Sequence, residues 1–134
     1  MLKTKAKLIA IFLSPLSVHV NRIPVSGVVD FYEYVKGDYI VAFNHKSSER
    51  NERTLIGIKN DKFKILFKQI AGFVARRIIC NVMPGSNVHA GSKFGMIKFG
   101  SRVDVIIPFN SRIMVSVNQR VTGGETIVAE VLPQ

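Results

Sequence analysis

Thr54-Leu55-Ile56-Gly57-Ile58-Lys59, Asn60-Asp61-Lys62 and Phe63-Lys64-Ile65-Leu66-Phe67-Lys68-Gln69-Ile70 form the continuous stretch that decides the fold. Two runs rich in Ile, Leu and Phe flank a short polar gap. β-Branched and aromatic residues suit a pleated, half-buried surface, whereas Asn and Asp suit turns. The same rhythm extends in both directions. It predicts strands over Lys7–Leu13, Val18–Ile23, Gly27–Tyr34, Tyr39–Phe43, Thr54–Lys59 and Phe63–Ile70. Further strands are predicted over Ala75–Val82, Gly95–Phe99, Val103–Pro108, Ile113–Val117 and Thr126–Val131. No window of 11 or more residues presents a helical face. Many short strands with frequent turns point to an all-β barrel or sandwich, formed by residues 1–134 as a single domain.

The composition supports a packed fold and narrows its partners. With 47% hydrophobic residues, the 134-residue chain can fill one core. Its formal net charge of +10 favours anionic partners, nucleic acid or acidic lipid, or simply a solvated basic surface. Aromatics make up 9% of the chain, and no aromatic-basic stacking motif of the kind found on RNA-binding sheets is present. Nucleic acid is therefore not expected as a partner. The single cysteine, Cys80, excludes an internal disulfide and reads as a small core residue within Ile78-Ile79-Cys80. Basic Met1–Lys7 followed by apolar Leu8–Leu13 looks superficially like a signal peptide. The apolar run is short and no small-residue cleavage site follows it, so it reads as a buried strand. No stretch approaches the ~20 apolar residues of a membrane span.

A weak internal repeat relates Asn87-Val88-His89-Ala90-Gly91-Ser92 to Arg120-Val121-Thr122-Gly123-Gly124-Glu125. Each copy reads as a strand, a tight turn, a Val, then a Gly before the next strand, the glycines permitting positive φ. The pattern resembles the barrel-sandwich architecture of lipoyl and biotinyl carrier domains. Those carriers present a modified Lys on a hairpin tip flanked by acidic residues or Met, and neither Lys93 nor Lys98 has such neighbours. A carrier role is not expected.

Chemistry is concentrated in four segments. The first is Phe94-Gly95-Met96-Ile97-Lys98-Phe99-Gly100-Ser101-Arg102-Val103-Asp104, in which one strand leads into a Gly-Ser pair and another leads out. Such a junction can hold the Ser101 hydroxyl over the Gly100 carbonyl. Attack there turns the amide into an ester, β-elimination leaves dehydroalanine, and hydrolysis releases ammonia and leaves a pyruvoyl group. Ser is a weak nucleophile and needs a nearby base or a polarised carbonyl. On residue chemistry alone an ordinary β-turn explains Gly-Ser equally well.

The second segment is Ser14-Pro15-Leu16-Ser17-Val18-His19-Val20-Asn21-Arg22-Ile23-Pro24-Val25-Ser26-Gly27. Its polar positions suit an alternating strand with a polar outer face. Taken alone, that reading comes first; the functional one gives His19 a proton-transfer role and lets Arg22 hold a carboxylate or phosphate. The third, Glu49-Arg50-Asn51-Glu52-Arg53, reads alone as a solvated charged loop. The fourth, Gln69-Ile70-Ala71-Gly72-Phe73-Val74-Ala75-Arg76-Arg77-Ile78, puts adjacent arginines on opposite faces of a strand, so that one can meet a cleft.

The order and spacing of these four segments resemble the phosphatidylserine decarboxylase family, in its compact archaeal-type branch, from about Ile9 to Ala129. The resemblance implies that Gly100-Ser101 is a self-cleavage site, giving a β chain of residues 1–100 and an α chain of residues 101–134 that begins with a covalent pyruvoyl group made from Ser101. That group would bind the substrate amine and act as electron sink while phosphatidylserine loses CO₂ to become phosphatidylethanolamine. His19 matches a His implicated in the decarboxylation. Arg22, Arg76 and Asn51 are the candidate substrate-binding residues, and no metal is expected. The expected assembly is an αβ heterodimer, alone or further associated. Its expected place is peripheral, at the cytoplasmic face of the cell membrane, drawn to acidic phospholipid.

Three features depart from the family pattern. Family members usually carry an upstream hydrophobic membrane segment and a Ser-Pro-Ala-Asp-Gly motif, whose Asp is thought to orient a catalytic His during self-cleavage; Ser14-Pro15-Leu16-Ser17 does not replace that motif. Ser17 stands where many relatives have Asp. Arg22 stands where other branches have a second His. The alternative expectation is an inactive or split-gene fragment that keeps the fold without processing itself.

Overall fold

In the computed structural model, residues 5–13, 18–36, 52–71, 78–98, 102–123 and 125–132 are described. Their strands are β1 (Ala6–Phe12), β2 (Val18–Arg22), β3 (Gly27–Val35), β4 (Arg53–Lys59), β5 (Lys64–Ile70) and β6 (Ile78–Cys80). They continue with β7 (Asn87–Val88), β8 (Lys93–Lys98), β9 (Arg102–Pro108), β10 (Ser111–Ile113) and β11 (Ala129–Val131). No helix occurs among the described residues, and the all-β expectation holds. The central hairpin of β4 and β5 pairs from Arg53↔Ile70 to Lys59↔Lys64. Asn60 closes it, its Oδ1 accepting from the backbone N–H groups of Lys62 at 2.9 Å and Phe63 at 3.0 Å.

Every described pairing is antiparallel. A six-stranded sheet has the order β1-β9-β5-β4-β3-β7, a three-stranded sheet the order β2-β8-β6, and β10 pairs with β11. The two larger sheets share one core. Val29, Ile56, Ile58, Ile65, Phe67, Val105 and Ile107 from the six-stranded sheet meet Ile23, Val82 and Phe94. The Phe67 and Phe94 rings meet edge to face with centroids 5.3 Å apart. Fully burying such a side chain contributes about 1.5–3 kcal/mol. This shared core, rather than the short ladders of the smaller sheet, holds the layers together.

The differences from the sequence expectation lie mainly at turns. Residues 75–77 and the Tyr39–Phe43 strand lie outside the described residues, and the sixth strand is paired only over Ile78–Cys80. The Ile113–Val117 expectation is shifted: the paired residues are Ser111–Ile113, because the chain turns at Ser116–Gln119, where the Gln119 N–H donates to the Ser116 carbonyl at 3.1 Å. The Thr126–Val131 expectation contracts to Ala129–Val131. Thr126 closes a turn instead, its N–H donating to the Thr122 carbonyl at 3.0 Å and its hydroxyl accepting from the Thr122 N–H at 2.8 Å. The internal repeat survives as a pair of turns. His89 accepts from Ser92, and Thr122 from Glu125, both at 3.1 Å. In the first copy Gly91 has φ +85°, a conformation that favours glycine.

Candidate active site

The register places one end of both sheets together. In the six-stranded sheet Phe12 pairs with Arg102, Arg102 with Ile70, Ile70 with Arg53, and Arg53 with Val35. In the three-stranded sheet Val18 pairs with Lys98 and Ile97 with Ile78. The links from β1 to β2, β5 to β6 and β8 to β9 each leave one sheet here and enter the other. β3 ends and β4 begins at the same end, where Val35 pairs with Arg53. These four links carry Ser14–Ser17, Asn51, Gly72–Arg77 and Phe99–Ser101, portions of all four signature segments. The strand ends that flank these stretches therefore lie at one end, because antiparallel pairing returns every second strand end to the same side.

The sequence-derived candidates fall unevenly on this frame. Gly100, Ser101, Asn51 and Arg76 lie outside the described residues. His19 lies on β2, its backbone opposite Ile97 at the signature end. Arg22 lies at the other end of β2, opposite Lys93, where its Nη1 donates to the Gly91 carbonyl at 2.8 Å. There the guanidinium supports the His89–Ser92 turn.

Between the sheets runs a buried polar chain that the list of candidates did not contain. Gln69, fully buried, donates from Nε2 to Asn21 Oδ1 at 2.7 Å and to the Ile79 carbonyl at 3.3 Å. Its Oε1 accepts from the Thr54 hydroxyl at 2.8 Å. Thus β4, β5, β2 and β6 are tied together by one side chain. Gly95 provides the room: a Cβ there would stand 2.8 Å from Gln69 Nε2 and 2.2 Å from the Ile79 carbonyl oxygen. Asn21 is buried, contrary to the reading of its strand as having a polar outer face. The available signal was a side-chain amide within each of two strand-like stretches, since buried amides occur in hydrogen-bonded sets.

Glu52, expected in a solvated loop, is also buried, at 5% exposure. The loop reading fails because Glu52 extends the β4–β5 ladder: its carbonyl accepts from the Ala71 N–H at 2.9 Å. The Tyr34 hydroxyl donates to Glu52 Oε2, and Glu52 Oε1 is buried without a hydrogen-bond partner among the described residues.

On the opposite face of the six-stranded sheet, immediately after Ser101, Arg102 and Asp104 form a buried ion pair. Arg102 Nη2 donates to Asp104 Oδ2 at 3.3 Å. Nε and Oδ1 approach to 2.9 Å without the alignment of a hydrogen bond. The guanidinium also lies over the Phe12 ring, 5.6 Å from its centroid. Burial raises the Asp104 carboxyl above the usual range even though Arg102 and, more weakly, Lys68 favour its charged form. Burial likewise raises the Cys80 thiol, which packs partly buried against the core as expected. It raises the Tyr32 hydroxyl as well, with a contribution from Cys80. Among the described residues no group of three His, Cys, Asp or Glu is placed to hold a metal ion, and no helix is long and apolar enough to cross a membrane.

Comparison with known proteins places the chain in a family. The family model described as phosphatidylserine decarboxylase matches residues 2–129. A protein of Chlorobium luteolum named phosphatidylserine decarboxylase proenzyme is 52% identical over 126 residues, which are 94% of this chain and 59% of that protein. Proteins of the same name from Chlorobium limicola and Amoebophilus asiaticus are each 50% identical, over 91% and 92% of this chain and 58% and 55% of their own lengths. The chain thus spans somewhat more than half the length of the curated relatives it matches. No solved structure matches it. With the family model covering nearly the whole sequence and half of the aligned residues identical, the chain belongs to the phosphatidylserine decarboxylase family.

Proposed function

We propose that this chain forms the catalytic β domain of a self-processing phosphatidylserine decarboxylase, splitting between Gly100 and Ser101 and using the resulting pyruvoyl group to convert phosphatidylserine to phosphatidylethanolamine. The observation that carries the reading is the position of this bond in the topology. It lies between β8 and β9, which belong to different sheets. β8 keeps its partners β2 and β6, and β9 keeps β1 and β5, whether or not the link is intact. A cut there breaks no ladder. The 101–134 segment would stay in place, with β9 clamped between two strands of the 1–100 segment. This supports an αβ heterodimer without a disulfide.

The chain fits the pyruvoyl group through its own residues. Ser101 is the precursor, and the Gln69 chain of hydrogen bonds holds in fixed relation the two sheets that the β8–β9 link joins. When formed, the group supplies an electrophilic carbonyl that accepts the electrons left by departing CO₂. The role assigned to the protein is to exclude water and move protons at the signature end, His19 on β2 being the proton-transfer candidate. The formal charge of +10 supports peripheral attachment to anionic phospholipid at the cytoplasmic membrane face.

Intact-mass spectrometry tests the reading. Freshly purified protein is expected to resolve into chains of residues 1–100 and 101–134, the latter with a blocked amino terminus, while Ser101→Ala stays whole at 14.9 kDa apart from the lost oxygen. A chain that remains intact, with or without the upstream segment of a longer relative added, overturns it and favours a fragment that keeps only the fold.

A further inference from the structure

We propose that the outer face of the three-stranded sheet is the surface that lies against an anionic phospholipid bilayer; this deepens the peripheral attachment proposed above and rests on it. An antiparallel sheet with one face on the core alternates apolar side chains inward and polar ones outward. The inward side is settled by fully buried Ile97, by Asn21, which meets Gln69, and by Cys80, which packs on the core. The outward side breaks the rule. Val20 and Ile79 both pair with Met96, so their side chains form one row across the sheet. Val20 is 42% exposed and Ile79 40%, with partly buried Met96 between them. Scattered apolar side chains are ordinary on a surface, whereas contiguous ones mark an interaction site. Arg22, between buried Asn21 and Ile23, projects on this same face. Its ladder partner Lys93 precedes buried Phe94, and both cations are exposed.

Charge selects the occupant. None of the nine acidic residues falls within residues 1–29 or 62–103, and these two stretches contain β2, β6 and β8 entire. An apolar row with cations beside it and no carboxylate on its strands suits a layer of phosphates over acyl chains. The row reaches the boundary of the chains while Arg22 and Lys93 meet phosphate. The other exposed apolar groups keep company with acids. Ile113, Met114, Val117 and Ile127 belong to the hairpin region that carries Glu125 and Glu130. Leu8 and Phe12 share the outer face of the six-stranded sheet with Glu33, with Asp104, and with Asp30, which pairs with Lys64 at 3.0 Å. Carboxylates there offset the attraction of an anionic surface. In sequence, β2, β6 and β8 are also the strands that Ser14–Ser17, Gly72–Arg77 and Phe99–Ser101 enter or leave. A bilayer on this face therefore meets the sheet from which three of the signature segments depart.

The chain contains no Trp, so a single introduced indole reports its own surroundings. Ile79→Trp is mixed with vesicles of equal parts phosphatidylglycerol and phosphatidylcholine. Phosphatidylglycerol has no amine for a pyruvoyl carbonyl to take, so the signal reads the surface and not turnover. The emission is expected to shift to the blue and to be quenched by brominated acyl chains. Val117→Trp, replacing a hairpin side chain that is 92% exposed, should show neither. In co-sedimentation with the same vesicles, Lys93→Ala is expected to weaken binding about five-fold at low salt and less at high salt. It serves alone if Ile79→Trp does not fold. A chain that sediments with the vesicles while Ile79→Trp stays silent, or responds no more than Val117→Trp, overturns the inference and keeps the attachment. A chain that does not sediment with them overturns both. An Ile79→Trp shift that follows protein concentration without vesicles assigns the face to a second copy and also overturns the inference. Intact mass of the same samples scores splitting separately. Splitting without a response at Ile79→Trp leaves the decarboxylase reading standing and this inference fallen, and a response in a chain that stays whole does the reverse.

Discussion

The two ends of the β structure are built on different principles. At the signature end polar groups are buried: Asn21, Gln69 and Thr54 bridge the sheets, Glu52 caps the ladder, and Arg102 and Asp104 pair beneath Phe12. At the other end the β10–β11 hairpin keeps its ion pair in water. Arg112 and Glu130 meet at 2.7 Å with more than half of each side chain exposed, and Ile113, Met114, Val117 and Ile127 are exposed nearby. Burying polar groups costs desolvation that apolar side chains of similar volume avoid. An end that carries this cost, on the strands flanking the Gly100–Ser101 link, is organised for position as well as stability. The hairpin end needs only to close the fold.

The largest effect that would break or sharpen this contrast is expected at Arg102. Arg102→Ala leaves the Asp104 carboxylate buried with, among the described residues, the weaker influence of Lys68 and removes the packing on Phe12, so chemical denaturation should show a loss of about 3–5 kcal/mol at neutral pH. The pH dependence has a definite sign. The folded-state value of Asp104 is already raised, so its contribution to stability is fully present below the unfolded carboxyl's range and is lost as pH rises through the folded value. The deficit of Arg102→Ala should therefore shrink as pH falls toward about 4. A deficit that is constant with pH would assign the loss to packing alone.

A smaller loss is expected from Gln69→Leu, which keeps the volume but strands Thr54 and Asn21. Thermal or urea melts should show about 1–3 kcal/mol. A neutral result would mean that the inter-sheet hydrogen bonds are replaceable by apolar contact, removing the distinction between the two ends. The smallest effect belongs to Glu130→Gln at the hairpin, expected within about 0.5 kcal/mol and weaker still in high salt. A loss comparable to that of Arg102→Ala would overturn the comparison.

The strands were legible because side-chain chemistry repeats along them. Thr54–Lys59 and Phe63–Ile70 announce themselves by β-branched and aromatic runs around Asn60, and the structure pairs them within one residue of those bounds. The shortened β10 and β11 were less legible. Turns at Ser116–Gln119 and Thr122–Thr126 are fixed by local hydrogen bonds that compete with a ladder, and apolar content does not reveal which prevails. Arg22 shows the same limit at the site. Its neighbour Asn21 belongs to the inter-sheet network, while Arg22 itself serves the turn at Gly91.

The sequence by itself determined the all-β class, the family and the bond at which the chain is proposed to split. Each of these depends on residue types in order along the chain, and order survives in one dimension. Tertiary structure alone decided that the strands flanking the signature segments end together, that Gln69 joins the sheets, and that Glu52 is buried. These depend on strand register and on which sheet each strand enters, and a single-residue slip in register would turn every side chain to the other face. Pairings between residues as distant as Asn21 and Gln69 exist only once both sheets have closed on their common core.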